Sequence, residues 1–375
     1  MNRTIHLISF AIPFPANYGG VIDVFYKIKA LQKEGVEVVL HCFEYDDRSR
    51  SLELNKYCKE VHYYKRTRSI IDWLSGLPFI VKTRSDIQLL KNLCQDDAPI
   101  LFDGLHTCFF ASHPKLKERK KYLRSHNIEQ DYYIGLAKIE KSALKKYYFT
   151  QESKRLEKFE TLVLNHVDGV FTISEADTEY FRKKGVDTTL VSAFHSNEEL
   201  DLLEGDGDYV LYHGSLDVGE NNEAALYLIK EVFSDLEVRL VIAGKNPSKE
   251  LESECSKYSH IELKKNISSD EIHSLVQNAQ INILPTFQAT GIKLKLLVAL
   301  FTGRYALVND PMVQETGLES LCEIANSPEE FKEKVKALMS SSWNREEELQ
   351  KRSDILLSGF GNQENVKKMV ECIFD

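Results

Sequence analysis

The chain has 375 residues, more than one compact core usually holds, so two domains are the natural organisation. A hydrophobic share of 43% and a charged share of 28% are those of a globular protein. No apolar run approaches the roughly 20 residues that span a bilayer, and the apolar stretch after Met1 is too short for a signal peptide, so a cytoplasmic location is expected.

The net charge of −9 is unevenly spread: residues 1–190 hold 30 Lys+Arg against 25 Asp+Glu, and the remainder 18 against 32. From 115 to 158, 13 basic residues face 6 acidic ones, with Tyr147-Tyr-Phe149 among them. Such a stretch suits an anionic membrane surface or an anionic acceptor, and equally a solvated helix face. Nucleic acid is a poor match for an acidic chain without a recognised binding motif. Cysteines at 42, 58, 94, 108, 255, 322 and 372 are odd in number and lack a Cys-x-x-Cys pair, which argues against a disulfide framework and a zinc site.

In chain order, an apolar run at 5–10 reads as a strand, Ala11 to Gly20 as a loop, and 21–33 as a helix ended by Glu34-Gly35. Further strands are expected at 36–43, 99–102, 121–123 and 169–173. The segment 131–166 has the period of one or two helices, with Leu156, Phe159, Leu162 and Val163 on one face. Ser174-Glu-Ala-Asp177 has the form of a capping box, which makes Ser174 a helix cap and not a nucleophile. A polar, glycine-punctuated segment at 192–208 reads as a linker. A second alternation follows, with strands at 209–212, 238–243, 260–263, 281–284 and 305–308 and helices near 221–233, 248–257, 269–278, 292–301 and 328–340. Helices at 346–353 and 363–374 close the chain. The fold class is therefore α/β, with two Rossmann-like doubly wound parallel sheets. The expected domains are 1–191 and 209–345, joined by 192–208 and followed by C-terminal helices over 346–375.

One window carries most of the chemistry. The strand at 281–284 runs through Pro285 into a loop with Thr290, Gly291 and Ile292, and a helix opens with Lys293 and Lys295. Unpaired N–H groups at a helix start, the positive end of its dipole and two ammonium groups suit a phosphate. Gly214 in Tyr212-His-Gly-Ser-Leu216 lets backbone approach a phosphate, Ser215 offers a hydroxyl, and His213 sits beside them. In the first half, Gly19 and Gly20 end a loop after the first strand. His106 follows one strand end, and His126, Asn127 and Glu129 follow the next. No Asp-x-Asp motif is present to hold a metal.

The Gly-Ile-Lys-Leu-Lys run, Tyr212 to Leu216 with Glu220-Asn-Asn-Glu-Ala-Ala225, Leu240-Val-Ile-Ala-Gly-Lys-Asn-Pro247, Leu123-Arg-Ser-His-Asn-Ile-Glu129 and Val170-Phe-Thr-Ile-Ser-Glu-Ala-Asp177 resemble, in order, segments of retaining GT-B glycosyltransferases of the group 1, family 4-like type. The resemblance implies two domains facing a cleft, with the last helix crossing back onto the first. It also implies transfer of a sugar from a nucleotide donor to an acceptor hydroxyl, with retention, in polysaccharide or glycoconjugate synthesis. The donor would meet His213, Gly214, Ser215, Thr290, Gly291, Ile292 and Lys293, with Lys295 stabilising the departing diphosphate. A saccharide, lipid-linked or glycan acceptor would meet Gly19, Gly20, Asn127 and Glu129, with His106 and His126 as candidate catalytic groups. No cofactor is expected, the sugar nucleotide being a substrate, and no metal.

The chain departs from the pattern at one position. Where many relatives carry the carboxylate that binds the donor ribose, it has Val298, eight residues after Thr290, so ribose recognition is expected to fall elsewhere, with Glu315 or Glu319 as candidates. Val298 is also the feature that favours a rival reading, a non-catalytic partner subunit with a degenerate donor site. An epimerase or hydrolase on the same fold lacks its expected carboxylate pair.

Overall fold

In a computed structural model the described residues are 3–44, 48–67, 69, 75–287 and 294–375, without the side chain of Ile139. They form two compact units, one from Met1–Phe194 with Asn362–Asp375 and the other from His195–Gly361.

The first unit is built on a seven-stranded sheet of β1 (Arg3–Ser9), β2 (Val36–Glu44), β3 (Glu60–Lys65), β4 (Ile100–Asp103), β5 (Lys121–Arg124), β6 (Gly169–Thr172) and β7 (Thr188–Leu190), in the order 3-2-1-4-5-6-7. Every pairing is parallel. The reason lies in the sequence: β4, β5 and β6 are buried at every position, as strands covered on both faces must be. The expected helical segment is a hairpin of Glu129–Ile139 and Ala143–Leu164. Leu156, Phe159 and Val163 are buried on its second helix, but Leu162 is 41% exposed, because its turn angle places it beside that stripe and not within it.

The terminal helix Asn362–Phe374 belongs to this unit. Its Val366, Met369, Val370 and Ile373 join Ile5, Leu7, Val24 and Ile28 in one core, and Tyr122 donates its hydroxyl to the Cys372 carbonyl at 2.7 Å.

The second unit repeats the plan with six parallel strands: β8 (Val210–Ser215), β9 (Leu240–Lys245), β10 (Ile261–Lys265), β11 (Ile281–Ile283), β12 (Tyr305–Val308) and β13 (Glu323–Ile324), in the order 10-9-8-11-12-13. Four of its helices begin where the sequence supplies caps: Ser248, Ser268, Ser327 and Asn344 each accept from a backbone N–H of the first turn, and Ser268 with Glu271 completes a capping box. The helix expected at 221–233 is α-helical only over Gly219–Tyr227 and continues as a π turn over Leu228–Val232. Residues 202–207 are laced to this unit: Arg345 donates to the Leu202 carbonyl at 2.7 Å, Trp343 to that of Leu203 at 3.0 Å, and Gln280 accepts from the Gly207 N–H at 2.7 Å.

Strands β3, β7 and β13 have no counterpart in the sequence reading. β3 is polar and only partly buried, and β7 and β13 have three and two residues, so none shows a periodic apolar signal. In both sheets the strand order reverses once, between β1 and β4 and between β8 and β11. Such switch points are where open parallel sheets bind ligands, beyond the carboxyl ends of their strands.

Candidate functional site

At the switch point of the second unit, β8 ends in His213, Gly214 and Ser215, beside Ala243, Gly244 and Lys245 of β9. The two backbones nearly touch: a Cβ on Gly244 would lie 2.0 Å from the Gly214 carbonyl oxygen, and one on Gly214 would press the Asn221 side chain at 3.1 Å. Asn221, on Gly219–Tyr227, organises this corner. Its amide donates to the Ser215 carbonyl at 3.1 Å, its own carbonyl accepts from the Tyr212 hydroxyl at 3.0 Å, and its Oδ1 accepts from Lys295 at 3.1 Å. Lys295 also lies over the Tyr212 ring, 5.2 Å from its centroid. Next to them Thr286, past the end of β11, donates its hydroxyl to Glu220, and Asn309 accepts its N–H at 3.0 Å.

The geometry thus brings Gly214, Ser215 and Lys295 together, with Asn221 and Glu220 as organisers that sequence reasoning met only as part of a motif. His213 is buried, its Nε2 has no hydrogen-bond partner, and burial with the nearby Lys295 charge pushes its pKa down to about 3. Thr290, Gly291, Ile292 and Lys293 lie outside the described residues. Val298 packs against the apolar cluster of Tyr209, Leu211, Val241, Ala243, Val276 and Ala279.

At the switch point of the first unit, Gly19 and Gly20 open the helix Gly19–Lys33. A Cβ on Gly20 would meet the Phe10 ring at 2.7 Å, and the preceding loop is braced by Arg48, which donates to the Ile12 carbonyl at 2.7 Å and to Asn17 at 2.8 Å. His106 follows Gly104, whose φ of 86° only glycine adopts without strain. The Phe10 ring stands edge-on to His106 and His126, with centroids 5.2 and 6.2 Å away.

His106 Nδ1 lies 3.6 Å from Glu129 Oε1, beyond hydrogen-bond range, and burial holds the imidazole well below its ordinary pKa. Glu129 opens its helix and is buried, which pushes its carboxyl up to about 7 against the pull of His126. Asn127 is half-buried, and its carbonyl accepts from the Ser125 hydroxyl at 3.0 Å.

Beneath His126 lies a buried ionic network that the sequence reading missed. His126 Nε2 is 2.5 Å from Asp103 Oδ1, and Lys27 pairs with Asp103 and, at 2.9 Å, with Asp23. Asp23 also accepts from Arg124 at 2.9 Å and from the Phe194 N–H at 2.8 Å. Burial alone would raise both carboxyls, but Arg124 and Lys27 outweigh it at Asp23, and Lys27 and His126 at Asp103. Asp23, Asp103 and His126 offer ligand atoms within 4.8 Å of one another, the spacing of a cation site, yet Lys27 and Arg124 already neutralise both carboxylates. The only sequence signal was the Asp23, Lys27 spacing of i, i+4, which on most helices marks a solvated pair.

Residues 207–341, most of the second unit, match the family model described as Glycosyl transferases group 1. This chain carries a glycosyl transferases group 1 domain and is a glycosyltransferase. A protein of Klebsiella pneumoniae described as an uncharacterized 44.6 kDa protein in cps region is 27% identical to the glycosyltransferase over 312 residues, 79% of this chain and 80% of that protein. Among solved structures, Staphylococcus aureus TarM with UDP and alpha-GlcNAc-glycerol superposes with a TM-score of 0.68 at 11% identity, covering 100% of both chains. Anabaena HepE with UDP and glucose gives 0.66 at 11% identity over 99% of each chain. Sucrose-phosphate synthase of Thermosynechococcus elongatus gives 0.63 at 15% identity over 100% of this chain and 95% of that one. At these identities the structural likeness is one of fold.

Proposed function

We propose that the glycosyltransferase moves a sugar from a nucleoside diphosphate donor to an acceptor hydroxyl, with retention of configuration and without a metal, in polysaccharide or glycoconjugate synthesis. The observation that carries the donor assignment is the corner at the end of β8, where Asn221 packs closely on Gly214 and holds Lys295 beside it. A diphosphate leaves with added negative charge, and a fixed ammonium stabilises that charge. TarM and HepE were solved with UDP, which supports a nucleotide at the equivalent corner here, and the relative from a cps region supports the polysaccharide role. Thr290 to Lys293 complete the donor side in this reading. The first unit takes the acceptor near Gly19, Gly20, His126, Asn127 and Glu129, with His106 behind them. Val298 offers the ribose no hydrogen bond, and the polar contact passes to other groups. The basic stretch 115–158 rests on anionic membrane.

The test is a thermal-shift screen against UDP, GDP, ADP, TDP and CMP and their common sugars, with magnesium or EDTA. A shift with one nucleotide that EDTA leaves intact is expected, and no shift with any would sink the donor assignment. With the donor known, Lys295→Ala should lower kcat about a hundredfold, the size of effect seen when one charge-stabilising group is removed, while the melting temperature holds. An unchanged rate would remove Lys295 from the phosphate site.

A further inference from the structure

We propose that Asp103 is the residue that positions His126, holding its Nε2–H so that Nδ1 is left to accept a hydrogen bond from a hydroxyl of the sugar acceptor. This rests on the reading that the first unit receives the acceptor.

A carboxylate has no proton to give, so at 2.5 Å from Asp103 Oδ1 the Nε2 of His126 must be the donor. The neutral ring then carries its lone pair on Nδ1. What keeps Asp103 ionised in a fully buried position is Lys27, itself fully buried, which bridges Asp103 and Asp23. Arg124 and the Phe194 N–H satisfy Asp23 from the other side. Two buried carboxylates therefore face two buried cations, and the network balances without a charge on His126.

Asp23 Oδ2 stands 3.9 Å from Nδ1, too far for a hydrogen bond, so among the described residues that nitrogen is not engaged by the network beneath it. The side chains of Asp23, Lys27, Asp103 and Arg124 are 0–2% exposed and that of His126 is 14%. His126 is thus where a sealed ionic lattice reaches the end of β5, beside the Phe10 edge. Asp103 acts through His126 and is a positioning residue, as are Lys27 and Asp23 behind it.

Long-range proton–nitrogen spectra of the full-length protein labelled with 15N-histidine, with His126→Gln for assignment, read the tautomer directly. The expected result is a single Nε2–H form of His126 that gives way to a mixture in Asp103→Asn, whose amide can both donate and accept. On the donor found by the nucleotide screen, Asp103→Asn should lose about ten- to a hundredfold in kcat, the usual cost of removing an orienting partner, with donor KM within about twofold. A wild-type Nδ1–H form, or an Asp103→Asn variant that keeps both tautomer and rate, overturns the assignment. If Asp103→Asn does not fold, the wild-type tautomer alone decides. Full turnover in His126→Gln would instead take down the acceptor reading itself, whereas an impaired His126→Gln with the wrong wild-type tautomer takes down only the role given to Asp103.

Discussion

Glu129 shows at the scale of one residue how burial makes a charged group costly. Its folded pKa of about 7 lies above the ordinary carboxyl value, so deprotonation is resisted in the folded state and welcomed in the unfolded one. The sign follows: Glu129 costs nothing below the unfolded pKa near 4.5, and the penalty grows as pH rises, levelling off above about 7. Glu129→Gln should therefore raise stability by about 1–3 kcal/mol at pH 8 and change it little at pH 4. Chemical denaturation at the two pH values checks this, and equal effects at both would mean that the carboxyl is not strained. Such a carboxyl beside His106 fits the acceptor-side role proposed for Glu129.

At the scale of elements, the first sheet carries a chain of polar side chains across its face. Asp96 accepts from His6 Nε2 at 2.9 Å, His6 Nδ1 meets His41 Nε2 at 2.8 Å, His41 Nδ1 meets the Tyr64 hydroxyl at 2.7 Å, and Asn92 donates to that hydroxyl at 2.8 Å. One assignment satisfies every link with both imidazoles neutral: Tyr64 donates to His41, His41 to His6, and His6 to Asp96. Burial lowers the pKa of both histidines, that of His41 the more. Because the unfolded chain takes up protons near pH 6.5 that the folded one refuses, stability is retained above that pH and falls below it, by at most about 1.4 kcal/mol per pH unit for each such histidine. Melting curves between pH 7.5 and 5 should show that slope, and His41→Gln should flatten it. An unchanged slope would assign the acid sensitivity to other groups.

At the scale of the whole molecule, the two units differ in charge and in what they expose. Leu144 is 84% exposed, Tyr147 61%, Tyr132 47% and Ile134 41%, all on the helical hairpin of the first unit, with Lys138, Lys141, Lys145 and Lys146 among them. No described helix is long and apolar enough to cross a membrane. Exposed aromatic and aliphatic side chains ringed by lysines suit the surface of an anionic bilayer. Flotation with vesicles containing phosphatidylglycerol should recover the protein, neutral phosphatidylcholine vesicles should not, and Leu144→Glu with Tyr147→Glu should abolish recovery. Equal recovery with both vesicles, or none with either, would leave the hairpin a solvated face.

The sequence by itself determined the two α/β alternations, placed most strand ends within three residues, and singled out Gly214, Ser215 and Lys295. These are local properties: apolar period, glycine, and charge next to a helix start. It could not show that Asp23, Lys27, Asp103, Arg124 and His126 form one buried lattice. Asp23 and Arg124 are 101 residues apart, and an i, i+4 ion pair looks the same in sequence whether water or protein surrounds it. Nor could it separate His106 and His126, each a histidine just past a strand end, one with a buried Nδ1 that has no hydrogen-bond partner and the other bound to a carboxylate. Only the tertiary structure decided these, because burial and long-range pairing set the charge and tautomer of a side chain, and neither is written in the residues next to it.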